Sequence, residues 1–166
     1  VTATHEMGDI DLAAAQAAVD EHLLGDIEQI PPMVSAVKID GKRLHELARE
    51  GVEVDRPPRP VTIYSFSLMP TGEPDILLAA VECGSGTYIR TLAADLGHLL
   101  GGGAHLRNLR RTAVGQFTLG EAAGPDDCEL LPVEDAVRTL TRVDATAQLA
   151  DLVANGRVLP AWEGPG

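Results

Sequence analysis

Residues 76–97 read ILLAAVECGSGTYIRTLAADLG and join an apolar strand pattern to a helix pattern. The run at 76–84 is short and almost continuously apolar, which predicts a strand more fully buried than the one before it. The helix pattern covers about 88–100 and ends at the glycines of 101–103, because glycine commonly follows a helix end. Tyr88 and Arg90 lie at the junction, in a chain that is only 3% aromatic.

The segment before this junction predicts the other half of a hairpin. Residues 61–69, VTIYSFSLM, alternate in polarity as a strand with one apolar face does. Residues 70–75, PTGEPD, have the composition of a turn. We therefore expect an antiparallel hairpin here and an α+β fold for the chain, with a mixed, mainly antiparallel sheet and helices packed on it.

The N-terminal part predicts a helix followed by an irregular segment. Residues 11–24, DLAAAQAAVDEHLL, are rich in alanine and follow a capping residue, Asp9 or Asp11. Residues 27–33, IEQIPPM, predict a break, because prolines do not fit inside a helix or a paired strand.

Shorter elements are predicted on both sides of the central hairpin. Residues 35–50, SAVKIDGKRLHELARE, predict a strand with a tight turn at Asp40 and Gly41, and then a short helix. Residues 106–119, LRNLRRTAVGQFTL, predict one strand with a bend at Gly115. Two short helical patterns follow, near 133–141 and 144–155.

The net charge of −12, averaged over the chain, argues against a nucleic-acid partner. The distribution of charge points the other way, because residues 84–119 contain a single acid, Asp95. The same residues contain Arg90, Arg107, Arg110 and Arg111. A phosphate-facing surface in the middle of the chain is therefore compatible with the sequence.

Several classes of protein are disfavoured by composition. No apolar run approaches the roughly 20 residues that cross a bilayer, and no signal-like segment opens the chain, so we expect a cytoplasmic protein with no membrane partner. Cys83 and Cys128 are isolated, as free thiols of a reducing compartment are. The 5 histidines lack ligand-like spacing, so no metal site is expected.

The junction at Tyr88 and Arg90 has two interpretations. Gly84 and Gly86 would let the main chain approach a ligand or another strand closely, and Thr87 would cap the helix. Arg90 then lies in the first helical turn, where a cation gains nothing from the helix dipole. The more ordinary interpretation is a surface salt bridge for Arg90 and a packing role for Tyr88. The other is a specific carboxylate or phosphate partner for Arg90.

Two further basic segments have the same ambiguity. Residues 105–111, HLRNLRR, are either the solvated face of a strand or an edge that contacts phosphates. Residues 31–51 are either an ordinary appendage or a mobile basic lobe that closes on a polyanion.

Taken together, three segments resemble the TruB family of bacterial tRNA pseudouridine-55 synthases. They are IPPMVSAVKIDGKRLHELAREGVEV with RPVTIYSF, VECGSGTYIRTLAADLG, and GGGAHLRNLRRTAVGQF, and they follow one another in the order and at the spacing of the family. The resemblance covers about 27–119 and continues more loosely towards the C-terminus.

The resemblance implies an isomerase that converts one uridine in the T-loop of tRNA to pseudouridine without cofactor or metal. The base is flipped into a pocket, an aspartate attacks, the glycosidic bond breaks, and the base rotates and rejoins through carbon 5. From their positions in the motifs of the family, the resemblance implies that Tyr88 packs beside the flipped base and that Arg90 pairs with the catalytic aspartate. It implies that Leu109 is an apolar residue of the pocket.

The resemblance also implies a division of the chain. Residues 29–54 match the inserted thumb that folds over the T-loop, residues 1–28 and 55–143 a partial catalytic domain, and residues 144–166 the start of a truncated C-terminal domain. The residues expected to face RNA phosphates are Lys38, Lys42 and Arg43 in the thumb and Arg107, Arg110 and Arg111 beyond it. The family often has aromatic residues where Val34 and His45 stand, so this sequence departs from it there.

The larger departure is that the Gly-x-Leu-Asp-Pro motif of the nucleophile does not occur in the sequence. We therefore expect a C-terminal portion of a synthase, inactive alone, whose full-length form is a monomer that binds tRNA. A non-catalytic RNA-binding module is the alternative, and a structural or protein-interaction domain, favoured by the net charge, is a third.

Overall fold

The computed structural model describes residues 10–39, 41–52, 54–142 and 144–158. It comprises two compact units, Val1–Leu109 and Arg110–Gly166, here called the first and the second unit. None of the described helices is long and apolar enough to cross a membrane. Asp9 and Asp40, which the sequence placed at a helix cap and a turn, lie outside the described residues.

The described residues of the first unit form three helices and five strands. In chain order they are α1 (Leu12–His22), β1 (Gly25–Gln29), β2 (Lys38–Ile39), β3 (Lys42–Arg43), α2 (Leu44–Arg49), β4 (Arg59–Pro70), β5 (Leu77–Cys83) and α3 (Ile89–Leu99). β1, β4 and β5 form one antiparallel sheet in that order. The predicted α+β fold and the predicted hairpin of β4 and β5 are confirmed.

The predicted N-terminal helix is present as α1. The carboxylate of Asp11 accepts a hydrogen bond from the main-chain nitrogen of Ala13, which satisfies one of the free donors of the first turn. Ala15 and Val19, four residues apart, lie on one face of the helix and are fully buried. The spacing of small and apolar residues thus determines which face of α1 meets the sheet.

Helices α1 and α3 share one hydrophobic core with the sheet. Ile63 of β4 and Leu92 of α3 are each 1% exposed, and burying one such side chain contributes about 1.5–3 kcal/mol. The buried members are Ala15, Val19, Leu23, Val61, Ile63, Phe66, Leu68, Leu92 and Leu96. This core holds the start of α3 next to the ends of β1 and β5.

Two predictions for the sheet are wrong. The predicted break begins inside β1, whose Ile27, Glu28 and Gln29 pair with β4; only the prolines after it are irregular. β5 is not the more buried strand, because it lies at the edge of the described sheet with one partner, and Leu78 is 57% exposed.

Residues 29–54, the segment that the resemblance implies is the thumb and that keeps this name below, contain the small predicted hairpin and helix. β2 pairs with β3 in antiparallel register, Lys38 opposite Arg43 and Ile39 opposite Lys42. Leu44 and Leu47 of α2 are buried. The helix ends before Gly51, whose φ of +71° is the left-handed conformation that favours glycine.

The second unit is built from short elements. Its strands β6 (Ala113–Val114) and β7 (Phe117–Thr118) form a hairpin, so the single strand predicted over 106–119 is wrong. The expected bend is the hairpin turn, because Gly115 has a φ of +54°. The later elements are 3₁₀ turns at Leu119–Glu121 and Val133–Val137 and the helix α4 (Ala147–Ala154).

Polar contacts rather than a core organise the second unit. No described residue of this unit is buried. The guanidinium of Arg138 bonds Glu121 at 2.7 Å and lies 4.6 Å from the ring centroid of Phe117. Hydrogen bonds from Thr118 and from Arg138 lower the pKa of Glu121 to about 2.

Candidate functional site

The loop between β5 and α3 sets the position of Tyr88. The predicted cap at Thr87 is wrong, because its hydroxyl donates instead to the carbonyl of Gly84 at 2.9 Å. Tyr88 is the N-cap residue, in extended conformation and without a side-chain cap bond. Arg90 is the second residue of α3, so its predicted place in the first turn is confirmed.

Gly84 and Gly86 were expected to allow a close approach of the main chain, and among the described residues the structure shows none that a side chain would prevent. Gly86 has a φ of +84° and open space at its Cβ position, so its main-chain conformation, and not a close approach, favours glycine there. A Cβ on Gly84 would meet only ordinary contacts, the nearest at 3.5 Å from the carbonyl oxygen of Thr62. The loop is thus shaped by one left-handed residue.

Gln29 holds Tyr88 through the main chain. Its side-chain oxygen accepts a bond of 2.9 Å from the main-chain nitrogen of Tyr88, and its side-chain nitrogen donates one of 3.3 Å to the main-chain oxygen. Gln29 is 1% exposed. Sequence reasoning missed this residue, because nothing in IEQIPPM shows that the glutamine faces inward.

Arg90 contacts the thumb. One of its terminal nitrogens donates to the main-chain oxygen of Val34 at 2.9 Å. Within the described part of the chain Arg90 forms no ion pair with a carboxylate. The surface salt bridge of the more ordinary interpretation is therefore not seen among those residues, and a carbonyl takes its place.

Tyr88 and Arg90 form one side of an open groove of about 590 Å³. The other side is the thumb. The groove is lined by Val34, Ser35, Ala36, His45, Ala48, Arg49, Tyr88 and Arg90. Two arginines and a tyrosine in one groove form a surface that accepts anions and stacks planar rings.

The thumb wall of the groove is held by the main chain of Ser35. Its carbonyl oxygen lies 3.1 Å from the main-chain nitrogen of His45 and 3.1 Å from Nδ1 of the same residue. The hydroxyl of Ser35 is buried and has no hydrogen-bond partner within the described residues. These contacts fasten the loop before β2 to the start of α2.

Five of the predicted RNA-facing residues are solvent-exposed: Lys42, Arg43, Arg107, Arg110 and Arg111. In the thumb, Lys42 lies 3.8 Å from Glu50, and the main-chain nitrogen of Arg43 bonds Glu46 at 3.2 Å. Lys38 begins β2. Lys42 and Arg43 form β3 and are both exposed, so they are accessible to a polyanion.

Arg107 and Leu109 of the first unit do not line the groove. Arg107 pairs with Glu73 at 3.1 Å. Leu109 is 61% exposed and does not line the groove. Arg110 and Arg111 belong to the second unit and are exposed. The structure thus brings together Tyr88, Arg90 and the thumb, while the roles predicted for Leu109 and the later arginines stay predictions.

Asp95, the acid nearest in sequence to Arg90, does not supply a carboxylate for it. Burial raises the pKa of Asp95, and the neighbouring His98 partly offsets that effect. Asp95 does not line the groove. The described residues contain no group of His, Cys, Asp and Glu side chains arranged to hold a metal ion.

Two family models match the chain, and they meet inside this site. The model described as the TruB family pseudouridylate synthase N-terminal domain matches residues 1–89. The model of the tRNA pseudouridylate synthase B C-terminal domain matches residues 90–154. The chain belongs to the TruB family. The first model ends next to Tyr88 and the second begins at Arg90, so the pair of residues joins the two matched regions.

Curated relatives agree with this assignment. Over 149 residues the TruB-family chain is 50% identical to the tRNA pseudouridine synthase B of Aromatoleum aromaticum, covering 84% of this chain and 48% of that one. It is 42% identical to the protein of the same name from Geobacillus thermodenitrificans, covering 90% and 56%. For Mycobacterium bovis the identity is 42%, covering 92% and 54%. The chain therefore spans about half the length of the curated relatives it matches.

Proposed function

We propose that this TruB-family chain is part of a tRNA pseudouridine synthase that isomerises uridine 55 in the T-loop of tRNA. The observation that carries the proposal is the groove, in which Tyr88 and Arg90 at the start of α3 face the thumb. Relatives named tRNA pseudouridine synthase B support pseudouridine formation in tRNA.

The side chains of the groove suit a flipped nucleotide. A tyrosine ring stacks on any base, because every base has a π-face. A guanidinium binds a carboxylate or a phosphate in a planar, charge-assisted geometry. In our proposal Tyr88 packs beside the uracil and Arg90 pairs with the catalytic aspartate once that residue is present. Lys38, Lys42 and Arg43 on the thumb, with Arg107, Arg110 and Arg111, contact phosphates of the T-arm.

The reaction conserves all atoms. The bond between N1 of uracil and C1′ of ribose breaks, the base rotates, and a bond forms between C5 and C1′. The proton of C5 leaves to solvent, and N1 takes up a proton from solvent, so the product is an isomer of the substrate. These reaction steps need a carboxylate nucleophile. The Gly-x-Leu-Asp-Pro motif that would supply it is absent from the 166 residues. We therefore propose that the chain alone forms no pseudouridine, and that a polypeptide carrying the motif restores turnover.

The test uses T-loop RNA labelled with tritium at C5 of the target uridine. We expect no tritium release by the chain alone and release when a polypeptide with the Gly-x-Leu-Asp-Pro motif is supplied in trans. Release by the chain alone would contradict the proposed inactivity. If the two polypeptides associate and bind the RNA but release no tritium, the synthase assignment itself is wrong.

A non-catalytic RNA-binding module is the second candidate. It is favoured by one observation, that Arg90 bonds the carbonyl of Val34 and has no carboxylate partner within the described residues. Filter binding of a T-loop hairpin over a salt series separates the outcomes, because phosphate contacts give a steep salt dependence. Binding without turnover in the presence of the motif-bearing polypeptide favours this candidate, and no binding at low salt favours a protein-interaction domain.

A further inference from the structure

We propose that Gln29 is a positioning residue for the groove. It fixes the main chain of Tyr88, and through it the Tyr88 ring and the first turn of α3 that carries Arg90. The proposal rests on the function proposed above for the groove, but the contact on which it depends can be tested without RNA.

The chemistry of the contact requires an amide. The main chain of Tyr88 offers a donor and an acceptor, and the side chain of Gln29 meets both, accepting at 2.9 Å and donating at 3.3 Å. Among side chains of this length, only a glutamine or a protonated glutamate both accepts and donates in this way. Because Gln29 is 1% exposed, water does not replace a lost partner at this position.

The contact lies where the thumb leaves the sheet. Gln29 is the last residue of β1 and is paired with Arg59 of β4. The oxygen of Tyr88 that Gln29 bonds also accepts from the main-chain nitrogens of Thr91 and Leu92, at 3.0 and 3.1 Å. The amide therefore bonds the same carbonyl that begins α3, and a shift of Tyr88 moves the whole first turn.

The chain contains a matched control for this residue. The side chain of Gln16 also bonds the main chain twice, donating to the oxygen of Phe66 at 3.0 Å and accepting from the nitrogen of Leu68 at 2.8 Å. Gln16 lies in α1 and does not line the groove. Gln16 is half-buried and also donates to the side chain of Asp20 at 2.8 Å. Loss of its amide thus removes two bonds to the main chain, and the bond to Asp20, without touching Tyr88.

The experiment compares Gln29→Met with Gln16→Met in the full chain. Hydrogen exchange by NMR reports the protection of the Tyr88 amide, and fluorescence anisotropy reports the affinity for a T-loop hairpin. We expect Gln29→Met to lower the Tyr88 protection factor about tenfold, as the loss of one buried hydrogen bond does, and to weaken RNA binding about tenfold. In Gln16→Met the RNA affinity should not change. The Tyr88 protection factor should fall no further than the loss of global stability of that variant explains.

A conservative variant keeps the proposal testable if Gln29→Met does not fold. Gln29→Glu retains the acceptor, and its protonated form regains the donor, so the Tyr88 protection factor should recover as the pH falls. Equal changes of Tyr88 protection in the Gln29 and Gln16 variants, or no recovery in Gln29→Glu at acidic pH, would overturn the proposal. If the unmodified chain binds no RNA, the proposed function fails while the exchange data still decide the role of Gln29.

Discussion

Arg90 and Val34 are joined by a hydrogen bond of 2.9 Å from the guanidinium to the main-chain carbonyl. The bond connects the first turn of α3 with the thumb, across 56 positions of sequence. The side chain proposed to hold the catalytic aspartate therefore also holds the thumb in the structure. Occupation of the site by a carboxylate would compete with this contact.

Removal of the Arg90 guanidinium should loosen the thumb. In Arg90→Ala we expect amide hydrogen exchange over residues 33–36 to accelerate about threefold, because the bond is solvent-exposed and contributes about 0.5–1 kcal/mol. Exchange measured by mass spectrometry tests this. Arg107→Ala is the control, since its ion pair with Glu73 is solvent-exposed and worth little. Equal acceleration of 33–36 in both variants would refute the expectation.

Arg90 should matter more for turnover than for stability. In a synthase assembled with the motif-bearing polypeptide, we expect Arg90→Ala to lower kcat/KM about 100-fold, a typical loss for a misplaced catalytic group. Tritium release from labelled T-loop RNA measures the rate. Arg142→Ala, whose ion pair with Asp144 is almost fully exposed, should leave the rate unchanged. An unchanged rate in Arg90→Ala would remove the role assigned to this arginine.

The thumb cations should give RNA binding part of its salt dependence. We expect Lys42→Ala and Arg43→Ala each to weaken binding of a T-loop hairpin and to reduce the slope of log K against log salt by about 1. Titrations at several salt concentrations measure both quantities. Arg142→Ala is the control. The expectation fails if a variant that carries both Lys42→Ala and Arg43→Ala has the same salt slope as this control.

Gly97 should tolerate no side chain. A Cβ at this position would lie 2.2 Å from the main-chain nitrogen of Ala104 and 2.6 Å from the carbonyl carbon of Gly103. Gly97→Ala should therefore destabilise the first unit by about 2 kcal/mol, because overpacking outweighs the gain of about 1 kcal/mol in helix propensity. Urea unfolding measures the difference. Gly84→Ala is the control and should change stability by less than about 0.5 kcal/mol.

The second unit should lose a contact in acid. Bonds from Thr118 and from Arg138 lower the pKa of Glu121 to about 2 from an ordinary 4.5. Because the folded pKa lies below the unfolded one, the stabilisation is complete above pH 4.5 and disappears as the pH falls towards 2. Carboxyl-carbon NMR should follow this titration, and Glu121→Gln should abolish the accompanying shift of the Thr118 amide. Glu129→Gln, which alters an exposed acid of the same unit, should not.

The sequence predicted those elements whose pattern is local. Alternation in 61–69 predicted β4, and the alanine-rich run predicted α1. β1 was missed because Gly25–Gln29 contains a single apolar residue, Ile27, so its pairing depends on β4. The burial of β5 was overestimated because an apolar run does not show whether a strand has neighbours on both sides.

The candidate site was predicted in part for a similar reason. Tyr88 and Arg90 stand out by residue type and by their place at a strand–helix junction. Gln29 does not, because its role arises from a contact 59 positions away. The partner of Arg90 is the carbonyl of Val34, and no sequence pattern identifies a main-chain acceptor.

The absence of buried residues among the described part of the second unit has a consequence for its melting. The heat capacity of unfolding comes mainly from apolar surface newly exposed to water, and the described residues beyond Leu109 conceal little of it. Calorimetry of the whole chain should therefore register the melting of the first unit almost alone. The second unit should lose its structure gradually over a broad temperature range, without a peak of its own.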